Sequence, residues 1–174
     1  MVAVEERVVS EETPERSSYD EWVEASLDDP LDFGADFDVV VAADVLEHVA
    51  HPEQLVAAIR NWVRPGGLLL ASVPNVANIA VRTSLLFGRF RYADRGILDQ
   101  THLRFFTRAT ATELIENAGF RIERVAPTAI PAELASPLLA ARPLRRAIRA
   151  GARAAARLRP TLFGYQFVFE ARPG

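Results

Sequence analysis

The run 37–48, FDVVVAADVLEH, constrains this chain more than any other stretch. It opens as a continuous apolar segment rich in β-branched residues and bounded by turn signals, the pattern of a strand buried on both faces. It then turns abruptly polar and sets Asp44, Glu47 and His48 close together. A second all-apolar strand is predicted over Leu68–Val73 and ends at Pro74-Asn75. Between the two strands, Pro52 sits where proline suits a first helical turn. Leu55, Val56, Ile59 and Trp62 follow at helical spacing. Arg64-Pro65-Gly66-Gly67 stops that helix.

The remaining pattern alternates in the same way. Residues 76–87 read as a helix. Residues 88–106, GRFRYADRGILDQTHLRFF, form a long aromatic and charged connection without periodicity, which suggests a functional loop or lid. Thr107 is a predicted helix N-cap, and Thr110 with Glu113 offers an alternative capping box. Ala111, Leu114, Ile115 and Ala118 supply the buried stripe, and Gly119 is the expected residue after the helix end. Phe120–Val125 reads as a strand, 127–143 is rich in Pro and Ala, 144–158 is an Arg/Ala helix, and Tyr165–Ala171 is a last strand. Toward the start, Trp22-Val23 with Ala25 and Leu27 suggests a short strand and LDDPLDFGAD a turn, while 6–18 is either a helix or a frayed end. Strands alternating with helices imply an α/β fold with a mostly parallel sheet and helices on both faces. Ligands in such sheets bind beyond the carboxyl ends of the strands, which places Asp44–His48 at a cleft.

Composition narrows the chemistry. The 174 residues suffice for one domain with a real core. There are no cysteines, which excludes disulfides and thiolate chemistry. The only histidines are His48, His51 and His102, which argues against a histidine-rich metal site. No apolar run approaches the ~20 residues of a membrane span, and the acidic start does not read as a signal peptide, so a cytoplasmic protein is expected. The net charge of −3 is unevenly spread: residues 142–159 hold seven arginines and no acid.

The segments FDVVVAADVLEHV (37–49), VRPGGLLLASVPN (63–75) and DQTHLRFFTRATATELIENAGFRIERV (99–125) together resemble the class I S-adenosylmethionine-dependent methyltransferases. The ending PTLFGYQFVFEARP (160–173) resembles the last strand of that family's small-molecule branch. The resemblance covers residues 37–125 well and the remainder loosely. It implies a Rossmann-like, doubly wound, mostly parallel sheet with an antiparallel last strand, in which 37–43 and 68–73 are the fourth and fifth strands. It implies S-adenosylmethionine as cofactor and a small-molecule methyl acceptor. Carried over by position, Ala43, Asp44 and Val45 would border the cofactor, with Glu47 and His48 at the rim.

One family element has no counterpart: no DxGxGxG motif occurs in the sequence. That loop's backbone must approach the cofactor closely, which glycine permits. The expectation is that the family's first strand and glycine loop are missing. On that alignment Val2–Glu5 is the family's second strand, with Glu5 binding the ribose hydroxyls, and 22–29 is the third strand, with Asp28 nearest the adenine. The chain would then be one partial methyltransferase domain over 1–174, with an acidic segment over 1–36 and a helical insertion over 127–159. It would be a gene fragment, a decayed relative or half of a complex. An unpaired apolar strand edge should result.

The individual side chains leave alternatives open. His48 is a candidate general base, or a residue that caps or orients its loop. Asp44 and Glu47 could position cofactor or substrate, or cap the helix from Pro52. His102 could deprotonate an acceptor with Arg104 binding an acidic substrate group, or both could bond Asp99 or backbone and lock the loop. Phe105 and Phe106 read as core rather than as a substrate cage. Arg145, Arg149, Arg153 and Arg157 share one helix face, which would suit solvent, an anionic membrane surface or a phosphate-bearing substrate. Nucleic-acid binding would need more basic surface than a net acidic chain offers. The competing function is a non-catalytic remnant or partner subunit retaining this half of the fold. A different Rossmann-like enzyme ranks lower, because its phosphate-binding loop is also absent.

Overall fold

The computed structural model describes residues 2–5, 20–33, 37–129 and 142–174. The helix-or-frayed-end segment 6–18 and most of the Pro/Ala-rich segment 127–143 lie outside the described residues.

The central sheet is built by the segments that the apolar runs mark. Strand β3 (Phe37–Ala43) pairs in parallel with β4 (Val63–Pro74). The last strand, β6 (Gln166–Pro173), lies between β4 and β5 (Phe120–Pro127) and runs antiparallel to both. The order is therefore β3-β4-β6-β5. The first strands, β1 (Val2–Glu5) and β2 (Glu21–Glu24), pair in parallel as a separate two-stranded sheet. This is the mixed α/β, Rossmann-like arrangement with an antiparallel last strand that the sequence suggests.

Helix α1 (Pro52–Trp62) has Pro52 in its first turn and buries Leu55, Val56, Ile59 and Trp62. It packs on β3 and β4 and against α3 (Arg108–Asn117), which itself covers β5. One core results, in which Val56, Ile59 and Ile115 meet Ala42, Leu69, Ala71, Phe167 and Phe169 of the sheet. The helix ends at Trp62, where the chain is already extended, so β4 starts at Val63 rather than Leu68. Val63 is opposite Phe37, and the register shifts before Val39 pairs with Leu68. Gly67 sits in this irregularity, where a Cβ would come within 2.8 Å of Val63 Cγ1 and 3.0 Å of the Asp38 carbonyl. Only glycine fits there without displacement.

The other helices are α2 (Ile79–Leu86), α4 (Arg142–Leu158) and the short α5 (Pro160–Phe163). Asn75 and Asn78, both fully buried, donate from Nδ2 to the Gly164 carbonyl at 2.9 and 2.8 Å. They tie the end of β4 and the cap of α2 to the turn before β6. On α4, Arg149, Arg153 and Arg157 lie on the exposed side and Ala156 is buried. Among the described residues no helix is long and apolar enough to cross a membrane.

The sheet departs from expectation at β3. Val39 and Val41 were expected to be buried on both sides, yet they are 48% and 63% exposed. No described strand pairs with the outer edge of β3. Val40 and Ala42, on the opposite face, belong to or pack against the core.

Candidate functional site

The polar turn after β3 is held by the ends of its neighbours. Asp44 has φ +53°, a left-handed conformation that aspartate tolerates better than most residues. Its backbone N–H donates to the Ser72 carbonyl at 3.2 Å and to Ser72 Oγ at 3.1 Å. Ser72 Oγ in turn donates to Asp44 Oδ1 at 2.8 Å, and Gln166 Nε2 reaches Oδ1 and Oδ2 at 2.9 and 2.8 Å. One carboxylate thus knits the carboxyl ends of β3 and β4 to the start of β6. Tyr165, next in the chain to Gln166, has its hydroxyl pKa raised by burial and by the Asp44 charge.

Leu46, Glu47 and Val49 then turn inward and are fully or almost fully buried. Glu47 was expected at the rim; it is 1% exposed, and neither carboxylate oxygen has a hydrogen-bond partner. Burial pushes its pKa up to about 8, opposed by the proximity of its own backbone amide, which does not reach hydrogen-bonding geometry, and helped by the nearby Asp44 charge.

The segment 97–106 docks directly on this turn. Leu103 and Arg104 donate their amides to the Glu47 carbonyl at 2.8 and 3.0 Å. Arg104 Nε donates to the Ala50 carbonyl at 3.0 Å, and its Nη2 reaches the same oxygen. His48 Nδ1 lies 3.3 Å from both the carbonyl and the Oγ1 of Thr101. His102, nine-tenths buried, has Nδ1 3.1 Å from the Ile97 carbonyl, and the His48 and His102 rings meet edge to face at 4.8 Å. His102 is shifted to lower pKa, chiefly by burial, so its imidazole is neutral near pH 7. Asp99 accepts from the amide and hydroxyl of Thr101 at 2.9 and 2.7 Å, bonds that lower its pKa.

The structure therefore brings Asp44, Glu47, His48, His102 and Arg104 into one neighbourhood. Arg104 bonds the Ala50 carbonyl, His102 lies against the Ile97 carbonyl, and Asp99 bonds Thr101 rather than either of them. Neither Asp44 nor Glu47 caps α1. The carboxylate near that helix start is Asp28, whose Oδ1 accepts from the Ala50 and His51 amides at 2.8 and 3.3 Å. Glu5 is the last residue of β1, in register with Glu24. Ala43 is exposed and Val45 half-buried at the carboxyl end of β3. Phe106 is core, whereas Phe105 is half-buried beside His102, Phe90 and Tyr92. Sequence reasoning missed Ser72, Thr101 and Gln166.

A sequence profile of the methyltransferase-domain family matches residues 3–125, which include most of β1, the Asp44 turn and the docked His102 segment. The chain belongs to the class I S-adenosylmethionine-dependent methyltransferases. Over 89 residues it is 37% identical to a probable S-adenosylmethionine-dependent methyltransferase of Mycolicibacterium smegmatis, covering 51% of this chain and 30% of that protein. Over 105 residues it is 30% identical to the mouse mitochondrial ubiquinone biosynthesis O-methyltransferase, covering 58% of this chain and 28% of that one. The chain thus spans less than a third of the length of these relatives. Its fold is similar to that of a Thermotoga maritima methyltransferase described as a possible histamine N-methyltransferase, with a TM-score of 0.61 at 14% identity, covering 99% of this chain and 72% of that one.

The family's cofactor is S-adenosylmethionine. The carboxyl end of β3 offers a small exposed alanine and a rigidly held carboxylate, and β1 ends in an acid. The chain supplies no glycine cradle of the family's form.

Proposed function

We propose that this chain takes part in methyl transfer from S-adenosylmethionine to a small-molecule acceptor, and that it supplies the acceptor side of the site. The observation that carries the reading is the docking of the His102 segment on the Asp44–His48 turn. It closes a polar cluster that would border the reacting methyl group. Ala43, Asp44 and Val45 would line the cofactor, with Glu5 toward its ribose and Asp28 on the adenine side. Arg104 keeps the acceptor loop in place. Catalysis would rest mainly on holding the acceptor in line with the methyl sulfonium. The imidazoles of His48 and His102 would be the candidates to take an acceptor proton.

Calorimetric titration of the chain with S-adenosylhomocysteine tests this reading. Micromolar binding is expected, weakened at least about tenfold by Asp44→Ala, which removes the carboxylate and its ties to Ser72 and Gln166. A folded chain that shows no binding would sink the idea that this polypeptide holds cofactor by itself. It would favour a second reading, supported by the exposed Val39 and Val41 on a strand whose outer edge has no described partner: a non-catalytic partner that keeps this half of the fold for assembly.

A further inference from the structure

We propose that Glu47, His48 and His102 form a binding site for a first-row divalent transition cation, of which zinc is the test ion. One carboxylate oxygen of Glu47 and one nitrogen of each ring all lie within 4.8 Å of one another. The three residues come from two segments far apart in sequence, joined by the amide bonds to the Glu47 carbonyl. Three histidines argued against a histidine-rich site, but a site with two imidazoles and one carboxylate needs only two of them.

Two further observations point to a ligand. The first is Glu47. A carboxylate with both oxygens buried and unpartnered is costly, and buried polar groups nearly always find a partner. A cation at the cluster supplies the missing partner and counter-charge. The second is the tautomer of each ring. Thr101 Oγ1 gives its single proton to Asp99 Oδ1 at 2.7 Å. His48 Nδ1 therefore faces only acceptors, the Thr101 hydroxyl oxygen and carbonyl, and must carry the hydrogen. His102 Nδ1 faces the Ile97 carbonyl and carries a hydrogen for the same reason. Both rings are left with a free lone pair on Nε2. Metal-ligating histidines are oriented in this way, with the other ring N–H given to an oxygen acceptor.

Two imidazoles and one carboxylate suit zinc or iron(II) better than magnesium or calcium, which prefer oxygen ligands. Three protein ligands leave a position open for a fourth. The cation site rests on this geometry alone; its part in methyl transfer rests on the function proposed above. A divalent cation lowers the pKa of a hydroxyl bound to it, so an acceptor oxygen could lose its proton without a free imidazole base.

The test uses the full chain stripped with a chelator, then titrated calorimetrically with zinc chloride, with no methyl donor present. Bound zinc is counted by mass spectrometry after gel filtration. One equivalent per chain is expected. Glu47→Gln and His102→Gln should each weaken binding at least about tenfold, and Thr101→Val, which removes one of the two acceptors facing His48 Nδ1, should do so to a smaller degree. His51→Gln should leave binding unchanged, because His51 faces Glu53 on the surface. Circular dichroism confirms that each variant folds. Cobalt(II) absorption adds a spectroscopic signature that loss of a ring ligand must change. A folded chain without stoichiometric zinc, or affinity that is equal in His102→Gln, overturns the proposal. Either result leaves the S-adenosylhomocysteine titration to stand or fall separately.

Discussion

At the scale of single residues, Glu47 shows how surroundings override local sequence. In VLEH it reads as one more polar residue of an exposed turn. The turn instead rolls Leu46, Glu47 and Val49 into the core, so the carboxyl shares the burial of its apolar neighbours. No periodicity marks this, because the segment is neither helix nor strand. The consequence is a pH dependence of definite sign. The pKa is raised to about 8 in the folded chain, from an unfolded value of 4.5. Below pH 4.5 both states hold the proton and Glu47 contributes no difference. Between the two values the folded state keeps a proton that the unfolded chain has lost, so stability falls as pH rises. The fall levels off above pH 8 at a total on the order of 4–5 kcal/mol. In chelator-treated samples, urea denaturation at a series of pH values should show this decline. Glu47→Gln should remove it and leave the variant more stable than the parent at pH 8. A parallel pH profile for both chains would refute the assignment. Ser72, by contrast, did leave a signal: it is the one polar side chain in the run LLLASV, and it stands there to bond Asp44. Gln166 left none, since a glutamine at the start of a strand is unremarkable until its partner is known.

At the scale of elements, the sequence was most informative where apolar period and end signals agreed. Helix α1, with its proline start and four-residue stripe, and helix α3, with Thr107 and Gly119 at its ends, lie where they were expected. Thr107 is the cap and Thr110 its partner, so the alternative box of Thr110 with Glu113 is not the one used. Thr107 Oγ1 accepts from the Thr110 amide at 3.2 Å, and Thr110 Oγ1 accepts from the Thr107 amide at 3.0 Å. Threonine at the third helical position completes the reciprocal pair that glutamate usually completes. Thr107→Ala should lower stability by about 1 kcal/mol in urea denaturation, with Thr110→Ala costing a similar amount and the double variant less than their sum. Full additivity would show that the two caps act independently. The 88–106 connection was legible only as a long irregular segment. What fixes it is the Leu103 and Arg104 amides bonding the Glu47 carbonyl and the Arg104 guanidinium bonding the Ala50 carbonyl, pairs distant in sequence to which pattern reading has no access.

At the scale of the whole molecule, the described residues form two sheets where one continuous sheet would be expected from strands of this type. The faces of β3 are unequal. Val40 and Ala42 are covered through α1 and the core, while Val39 and Val41 project from the other face of a strand with no described partner on its outer edge. The sequence marked this strand as central because every residue after Asp38 is apolar, and such a strand normally has neighbours on both sides and cover on both faces. An exposed apolar edge offers unpaired backbone groups and hydrophobic side chains to any other chain that presents a strand. The purified chain should therefore self-associate with rising concentration, as read by sedimentation velocity. Placing a charge at the edge is the remedy that natural sheets use, so Val39→Lys with Val41→Lys should shift the population toward monomer. The substitution lies on the solvent side, so circular dichroism should be unchanged. An upstream segment or a partner that adds a parallel strand to β3 should have the same effect on the unsubstituted chain, and should also raise its melting temperature, because it binds the folded state alone. A chain that is monomeric at every concentration, with the double lysine variant behaving identically, would mean that the edge of β3 is already satisfied by residues outside those described.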